Sequence, residues 1–143
     1  MSIEIRLLRS GDAWVLERVA QGVFDNEVDP RWTKEFFADA RHHLVVALDA
    51  GLVVGMISGV HYVHPDKAPQ LFINEVGVAT SHRRQGIARE MLTRMLDHGR
   101  TLGCTEAWLG TEETNAAARQ LYEGAVDTPQ SEPFVMYTFP YKE

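Results

Sequence analysis

The chain has 143 residues, of which 45% are hydrophobic, and this predicts a single domain over residues 1–143 with a buried core. Fourteen Lys and Arg against twenty Asp and Glu give a formal charge of −6, which argues against a nucleic-acid partner and favours a cationic substrate. The apolar runs are far shorter than the roughly 20 residues that span a bilayer, and the N-terminus is unlike a signal peptide, so we expect a cytoplasmic protein with no membrane partner.

The spacing of apolar residues predicts strands and helices along the whole chain. In chain order these are a strand over 3–9, helices over 10–24 and 31–40, two strands within 42–63, a strand over 71–79, a helix over 87–103, a strand over 104–111, a helix over 114–123 and a strand over 133–140. Asp49-Ala50-Gly51 is a tight-turn signal between the second and third strands. The order predicts an α/β (α+β) fold, in which a mixed sheet is flanked by about four helices.

The polar turn SHRRQGIARE joins the fourth strand to the long helix. Gly86 and the small Ala88 would let a ligand approach the exposed N–H groups of the helix start, where the helix dipole favours an anion. Arg83 and Arg84 can add charge-assisted hydrogen bonds to a pyrophosphate. The alternative is a solvated basic turn that only caps the helix. The sequence lacks the glycine patterns of P-loop and Rossmann sites, so the turn belongs to another architecture.

Two motifs together resemble those of a known superfamily. The segment NEVGVATSHRRQGIAREML is followed by the pattern N-x-x-A-R-x-L-Y, which runs from Asn115 to Tyr122. In this order they resemble the GNAT superfamily of acetyl-CoA-dependent N-acetyltransferases, and the likeness extends over essentially the whole chain. The resemblance implies a mostly antiparallel sheet of six to seven strands, with acetyl-CoA as the cofactor.

Within the superfamily, the chain is most similar to the aminoglycoside 3-N-acetyltransferases. The likeness lies in VVALDAGLVVG, in the Pro-containing loop, in the acidic residue of the fourth strand and in HRRQGIA. One departure follows LYE, where the superfamily has a lysine and a Gly-Phe pair but this chain has Gly124-Ala125-Val126. The loop near the acceptor site is therefore expected to have a different shape. The resemblance also implies a homodimer.

The resemblance assigns the cofactor contacts to the fourth strand, the polar turn and the N-x-x-A-R-x-L-Y helix. The residues concerned are Val76, Gly77, Val78, Arg83, Arg84, Gln85, Gly86, Ile87, Ala88, Asn115 and Tyr122. It implies that strand backbone groups bind the pantetheine arm, with the amide of Val76 facing the thioester oxygen. Asn115 is also a natural helix cap, and capping alone would explain it.

Two side chains are candidates for acid–base catalysis. Alternation in the fourth strand is expected to place Glu75 on one face with Ile73 and Gly77, where the glycine leaves space for a ligand. A carboxylate among apolar neighbours is desolvated, which suits a general base near neutral pH. A structural glutamate paired with an arginine is the alternative. The resemblance implies that Tyr122 protonates the leaving thiolate, whereas an ordinary core tyrosine is the alternative.

Two acidic clusters are candidate substrate-binding residues beside the general base. Asp25, Glu27 and Asp29 lie between the first two helices, and Glu112 and Glu113 follow the fifth strand. The resemblance places the first cluster at the acceptor groove. An acidic groove attracts a polycation, whereas the alternative is two solvated loops.

The remaining reactive side chains give weaker signals. Cys104 has no paired base nearby, so a buried core thiol is favoured over a covalent acetyl carrier. His61 and His64 have no third ligand at evident spacing, so no metal site is predicted. The other histidines are expected at the surface: His42, His43, His82 and His98.

The sequence therefore predicts an acetyl-CoA-dependent N-acetyltransferase that acts on an aminoglycoside, at the 3-amino group, by direct transfer in a ternary complex. Antibiotic resistance as its role follows from the resemblance alone. An acetyltransferase for a protein N-terminus or another small amine is the alternative among enzymes. A non-catalytic acyl-CoA-binding module is the alternative outside enzymes.

Overall fold

The computed structural model describes residues 2–142, which form five β-strands, three α-helices and two short 3₁₀ helices. The strands are β1 (Glu4–Leu7), β2 (His42–Asp49), β3 (Leu52–His64), β4 (Lys67–Val78) and β5 (Glu106–Trp108). The α-helices are α1 (Pro30–Ala38), α2 (Ile87–Thr101) and α3 (Ala116–Glu123), and the 3₁₀ helices are Ser10–Glu17 and Thr80–His82. Two compact units are present, the first ending at Gly110 and the second beginning at Thr111.

The five strands form one mixed sheet in the order β1-β2-β3-β4-β5. The first three pairings are antiparallel, and β4 pairs with β5 in parallel. The predicted α/β class with a mostly antiparallel sheet is therefore confirmed. The turn between β2 and β3 is also confirmed, since Ala50 and Gly51 both have positive φ, at 48° and 83°.

The predicted last strand over 133–140 is wrong. Residues 124–142 contain no strand, and the large apolar side chains from Phe134 to Tyr141 are 62–96% exposed. The sheet of the described chain has five strands rather than the six to seven that the resemblance implied. The apolar pattern shows that this segment is able to form a strand. It does not show which strand edge would pair with it, and an unpaired strand is not stable.

The predicted helix over 10–24 is shorter than expected. It is a 3₁₀ helix that ends at Glu17, after which Val19 forms a parallel bridge with Val53 of β3. The Val53 N–H donates to Arg18 O at 2.9 Å, and the Ala20 N–H donates to Val53 O at 2.8 Å. These backbone hydrogen bonds to the sheet replace the helical ones, so tertiary contacts override the helical spacing of the side chains.

The core of the first unit lies between the sheet and α2, which confirms the predicted long amphipathic helix. Met91 and Met95 of α2 are fully buried. Glycines of β3 allow the helix to come close, since a Cβ at Gly55 would lie 3.1 Å from Met91 Cε and one at Gly59 would lie 3.4 Å from Met95 Sδ. Each buried side chain of this size contributes about 1.5–3 kcal/mol.

An extra residue in β4 changes which side chains share a face. Ser58 of β3 pairs with Glu75, but the next residue, Gly59, pairs with Ile73, so Asn74 is a β-bulge. Because paired residues share a face, Ile73 lies with Gly59 on the α2 face, and Glu75 lies on the opposite face. The prediction that Ile73 and Glu75 share a face is wrong, because the bulge interrupts the alternation on which that prediction depended.

Gly77 shares the face of Glu75, as predicted, but the space above it is occupied. A Cβ at Gly77 would overlap the carbonyl oxygen of Val23, which is buried. The expectation that Gly77 leaves room for a ligand is therefore wrong. Instead, the glycine lets the segment after the first 3₁₀ helix pack its backbone directly against β4.

We expect Gly77→Ala to lower the free energy of unfolding by about 1–3 kcal/mol or more, because the new methyl group would collide with backbone rather than with a flexible side chain. Urea unfolding followed by circular dichroism measures the change. Gly11→Ala is the matched control, since a Cβ at Gly11 would meet nothing within 4 Å, and its effect should stay within about 1 kcal/mol. Equal effects of the two substitutions would contradict the close approach at Gly77.

Three histidines form a hydrogen-bonded chain where β2, β3 and α2 meet. His43 Nε2 lies 2.7 Å from His61 Nδ1, and His43 Nδ1 lies 3.0 Å from His98 Nε2. His43 is only 7% exposed, so its expected surface position is wrong. Burial and, to a smaller extent, the neighbouring His98 and His61 lower the pKa of His43 from 6.5 to about 4.

Acid should therefore weaken the fold through His43. Above pH 6.5 the imidazole is neutral in both states; between pH 6.5 and about 4 the unfolded chain takes up a proton that the folded chain does not. The free energy of unfolding should fall over this interval, as measured by urea unfolding at stepped pH. His43→Leu should flatten the dependence, whereas the exposed His64→Leu should not. Parallel curves for the wild type and His43→Leu would exclude this cause.

Candidate functional site

The site begins where β4 and β5 separate. Among the described residues, β5 pairs with β4 only from Gln70 to Phe72, while β4 continues to Val78 beside β3. Beyond Phe72, alternate N–H and C=O groups of β4 are directed away from β3, on the side where β5 has ended. Such an open edge can bind an extended amide-containing ligand through main-chain hydrogen bonds. Val76 and Val78 lie in this part of the strand.

The loop after β4 leads into the N-terminus of α2. Gly86 is the N-cap and makes no side-chain cap, so the first-turn N–H groups of Ile87 and Ala88 have no such partner. Arg84 and Gly86 have left-handed backbone conformations, with φ of 63° and 76°. The guanidinium of Arg83 donates to Val78 O at 3.3 Å, which ties the loop back to β4.

Charge and exposure in this loop suit an anion. Arg83, Arg84, Gln85 and Gly86 are all exposed, and they surround the positive end of a helix of 15 residues. The structure thus brings the predicted polar turn together at one helix N-terminus. This arrangement fits a diphosphate, which would accept hydrogen bonds from backbone N–H groups and guanidinium groups at once.

His82 and Asp49 hold this loop against the sheet, and sequence reasoning missed both. His82 Nε2 lies 2.7 Å from Asp49 Oδ2, and Ser81 Oγ lies 2.7 Å from His82 Nδ1. The side chain of His82 is 13% exposed, so its expected surface position is wrong. Asp49 is the last residue of β2, and no sequence spacing relates it to a loop 33 residues later.

On the other face of the sheet, Glu75 is exposed and pairs across the strands with Ser58. The apolar enclosure expected around its carboxylate is not present. Asp25 and Glu27 are also exposed, and they lie two and four residues after Val23, the residue whose backbone packs on Gly77. Asp25 and Glu75 are each two residues along the chain from this contact.

Asp29 has a structural task at the start of α1. Its carboxylate accepts a hydrogen bond from the Arg31 backbone N–H at 2.8 Å and pairs with the Arg31 guanidinium at 3.0 Å. The hydrogen bonds from Arg31 lower the pKa of Asp29. Its charge is therefore partly neutralised, unlike that of Asp25 and Glu27.

Three aromatic residues on the face of Glu75 were also missed. The rings of Phe72 and Trp108 lie 4.5 Å apart, and Trp108 Nε1 donates to the hydroxyl of Tyr62 at 2.7 Å. Each belongs to a strand, and each was predicted only as part of that strand. Their contact depends on the register of three strands, which the sequence pattern does not give.

The second unit carries the other predicted residues. Asn115 caps α3 by accepting from the Ala118 N–H at 3.1 Å, which confirms the predicted cap. Burial raises the pKa of Tyr122, so its phenol stays protonated at neutral pH. Glu112 and Glu113 are exposed.

Other chemistry finds little support in the described part of the chain. Burial raises the pKa of the Cys104 thiol, which disfavours the nucleophilic thiolate. Residues 2–142 contain no group of three or more His, Cys, Asp or Glu placed to hold a metal ion. None of the helices described is both long and apolar enough to cross a bilayer.

Comparison with known proteins then decides the family. The sequence matches the acetyltransferase (GNAT) family over residues 13–125. The chain belongs to this family. GNAT acetyltransferases use acetyl-CoA, which agrees with the open edge of β4 and with the exposed arginines and uncapped N–H groups at the start of α2.

Curated GNAT relatives match only in part. The L-2,4-diaminobutyric acid acetyltransferase of Oceanobacillus iheyensis is 38% identical over 55 residues, which cover 38% of this chain and 30% of that protein. N-acetyltransferase family 8 member 2 of Rattus norvegicus is 30% identical over 89 residues, which cover 62% of this chain and 39% of that protein. The chain thus spans about a third of the length of the curated relatives that it matches.

Solved structures confirm the GNAT fold over nearly the whole chain. An aminoglycoside acetyltransferase from an uncultured soil metagenomic sample, in complex with trehalose, has a TM-score of 0.84 at 18% identity, covering 98% of this chain and 97% of that one. The same enzyme in complex with sisomicin has a TM-score of 0.82 at 16% identity, again covering 98% and 97%. AAC(6')-Iy with a bisubstrate CoA analogue has a TM-score of 0.78 at 17% identity, covering 98% and 99%.

We expect Arg83→Gln to raise the Kd for CoA about tenfold, because it removes a charge-assisted hydrogen bond worth about 1.5–3 kcal/mol. Isothermal titration calorimetry at low salt measures the Kd for CoA. Arg100→Gln is the matched control, since Arg100 lies in the last turn of the same helix and should leave the Kd unchanged. Pantetheine, which lacks the diphosphate, should bind wild type and Arg83→Gln equally. Equal loss of pantetheine and CoA affinity would contradict a diphosphate contact.

Proposed function

We propose that this chain is an acetyl-CoA-dependent N-acetyltransferase that transfers acetyl directly to an amine of an aminoglycoside. The observation that carries the proposal is that β4 separates from β5 next to the bulge in β4. The bulge places Glu75 on the face of the sheet opposite α2. An extended cofactor arm on the open edge and an amine at Glu75 would then meet at one strand. Direct transfer needs this proximity and little else.

The residues present fit acetyl-CoA by their chemistry. Backbone groups of β4 at Val76, Gly77 and Val78 suit the amides of the pantetheine arm, and the loop at Arg83 and Arg84 suits the diphosphate. Gln85 through Ala88 complete the anion site, and the family resemblance adds Asn115. Acetyl-CoA supplies the acetyl group as a thioester, whose carbon–sulfur bond breaks as the amine nitrogen bonds to the carbonyl carbon.

Glu75 and Tyr122 supply the proton transfers. Glu75 accepts a proton from the acceptor ammonium, directly or through a water. Because Glu75 is exposed, both the amine and a water molecule can reach its carboxylate. The superfamily resemblance implies that Tyr122, whose pKa is raised by burial and whose phenol is protonated at neutral pH, donates a proton to the departing sulfur. A thiol has an ordinary pKa near 8.5, so this donor assists and is not indispensable. The Val76 N–H is our candidate for stabilising charge on the carbonyl oxygen.

Several observations support a polycationic acceptor. Asp25 and Glu27 are exposed beside the Val23–Gly77 contact, and Glu112 and Glu113 are exposed in the second unit. The chain carries a net charge of −6, and sisomicin is bound in a metagenomic enzyme of similar fold. The 3-amino group as the acylated position and a homodimer follow from the resemblance to the aminoglycoside 3-N-acetyltransferases, and a cytoplasmic location follows from the short apolar runs of the sequence.

A small linear diamine is the second candidate acceptor. It is favoured by the two L-2,4-diaminobutyric acid acetyltransferases, which are 38% and 39% identical over 55 and 56 residues. Turnover with gentamicin, compared with L-2,4-diaminobutyrate and a peptide N-terminus, separates these acceptors. Absence of turnover with every aminoglycoside would remove our substrate proposal.

We expect Glu75→Gln to lower kcat at least tenfold with the best amine of that panel, because it removes the base but keeps the shape of the side chain. The Kd for CoA should change little. Glu35→Gln, an exposed glutamate of α1, is the matched control and should leave kcat unchanged. Full kcat with the same pH–rate profile in Glu75→Gln would assign the base to another group. CoA binding with no amine consumed by the wild type would favour the non-catalytic module.

A further inference from the structure

An exposed aromatic surface lies on the face of the sheet opposite α2. Phe72 of β4 and Trp108 of β5 are register partners, and their rings are tilted by 38°. Trp108 is 46% exposed, and Phe72 and Tyr62 are partly exposed. We call Tyr62, Phe72 and Trp108 the aromatic platform.

Hydrogen bonds hold the platform in one arrangement. Trp108 Nε1 donates to the Tyr62 hydroxyl at 2.7 Å, and that hydroxyl donates to Gln70 Oε1 at 3.2 Å. The indole N–H is thereby satisfied within the protein, while much of the ring remains in contact with water. A rigid, exposed aromatic surface loses little conformational entropy when a ligand covers it.

The platform is next to the proposed base. Val60 pairs with Phe72, and Ser58 pairs with Glu75, so these are successive pairs on one face of β3 and β4. Successive same-face residues of a strand lie about 7 Å apart. Without the bulge at Asn74, Glu75 would lie on the other face from Phe72. The bulge therefore creates a juxtaposition of carboxylate and aromatic rings at the end of β5.

We propose that the aromatic platform is the acceptor subsite and that it selects amines carried on a sugar-like ring. The proposal rests on the function proposed above and deepens it. The apolar C–H face of a ring would stack on Trp108 and Phe72, and its ammonium group would lie near Glu75 and the aromatic faces. A linear diamino acid has no such face, and its carboxylate would be repelled by Glu75. The platform thus favours the ring-borne acceptor of the two candidates.

The test compares a ring-borne with a linear amine. Trp108→Ala should raise the KM for gentamicin at least tenfold, leave the KM for acetyl-CoA within twofold, and leave kcat/KM for 1,4-diaminobutane unchanged. Trp108→Phe should restore most of the gentamicin KM. Trp32→Ala is the control, because it truncates an exposed tryptophan of α1 in the same way, and it should match the wild type. Equal losses for both amines, or no loss for either, would overturn the proposal.

A binding measurement separates this proposal from the function on which it rests. In the wild type, gentamicin should shift the NMR signal of the Trp108 indole N–H, and 1,4-diaminobutane should not. That result would support the platform even if no acetyl transfer occurred, in which case only the proposed function would fail. An unmoved Trp108 signal with gentamicin at saturating turnover concentration would overturn the platform while leaving the function standing. Thermal unfolding of Trp108→Ala and Trp108→Phe is measured to establish that both variants fold.

Discussion

The extra residue in β4 decides what each side of the sheet carries. Asn74 has no partner on β3, so Ile73 turns toward α2 while Glu75 turns away from it. A strand of strict alternation could not bury Ile73 and also present Glu75 on the face of Phe72. Hydrophobic burial on one face and a carboxylate beside aromatic rings on the other are therefore compatible only because of one bulge. Bulges serve this purpose near active sites in many sheets.

Two further contacts fix the acidic segment after Val23 and the basic loop before α2 to the sheet. The backbone of Val23 packs directly on Gly77, while the hydrogen bond between His82 and Asp49 ties the loop before α2 to the end of β2. The acidic segment at Asp25 and the basic loop at Arg83 are therefore both attached to the same short part of the sheet. Each segment is anchored to the sheet by its own contact, so the position of one does not depend on a contact with the other.

Much of the fold followed from the sequence because it depends on local patterns. The helical spacing of Met91 and Met95 and the turn at Ala50–Gly51 both concern neighbouring residues, and both predictions are confirmed. The family also followed, since the residues around Gly86 carry a motif. The bulge at Asn74, the His82–Asp49 pair and the contact of Trp108 with Phe72 depend on strand register and long-range pairing, which periodicity does not report.

The backbone conformation of Arg84 lowers the stability of the loop that carries its charge. Its φ of 63° is a left-handed conformation that costs an L-residue with a side chain about 1–2 kcal/mol. Glycine would relieve this strain but has no guanidinium group. If the loop binds an anion as proposed, stability of the ligand-free protein and attraction for that anion oppose each other at this position, and selection for greater heat tolerance alone would favour glycine here.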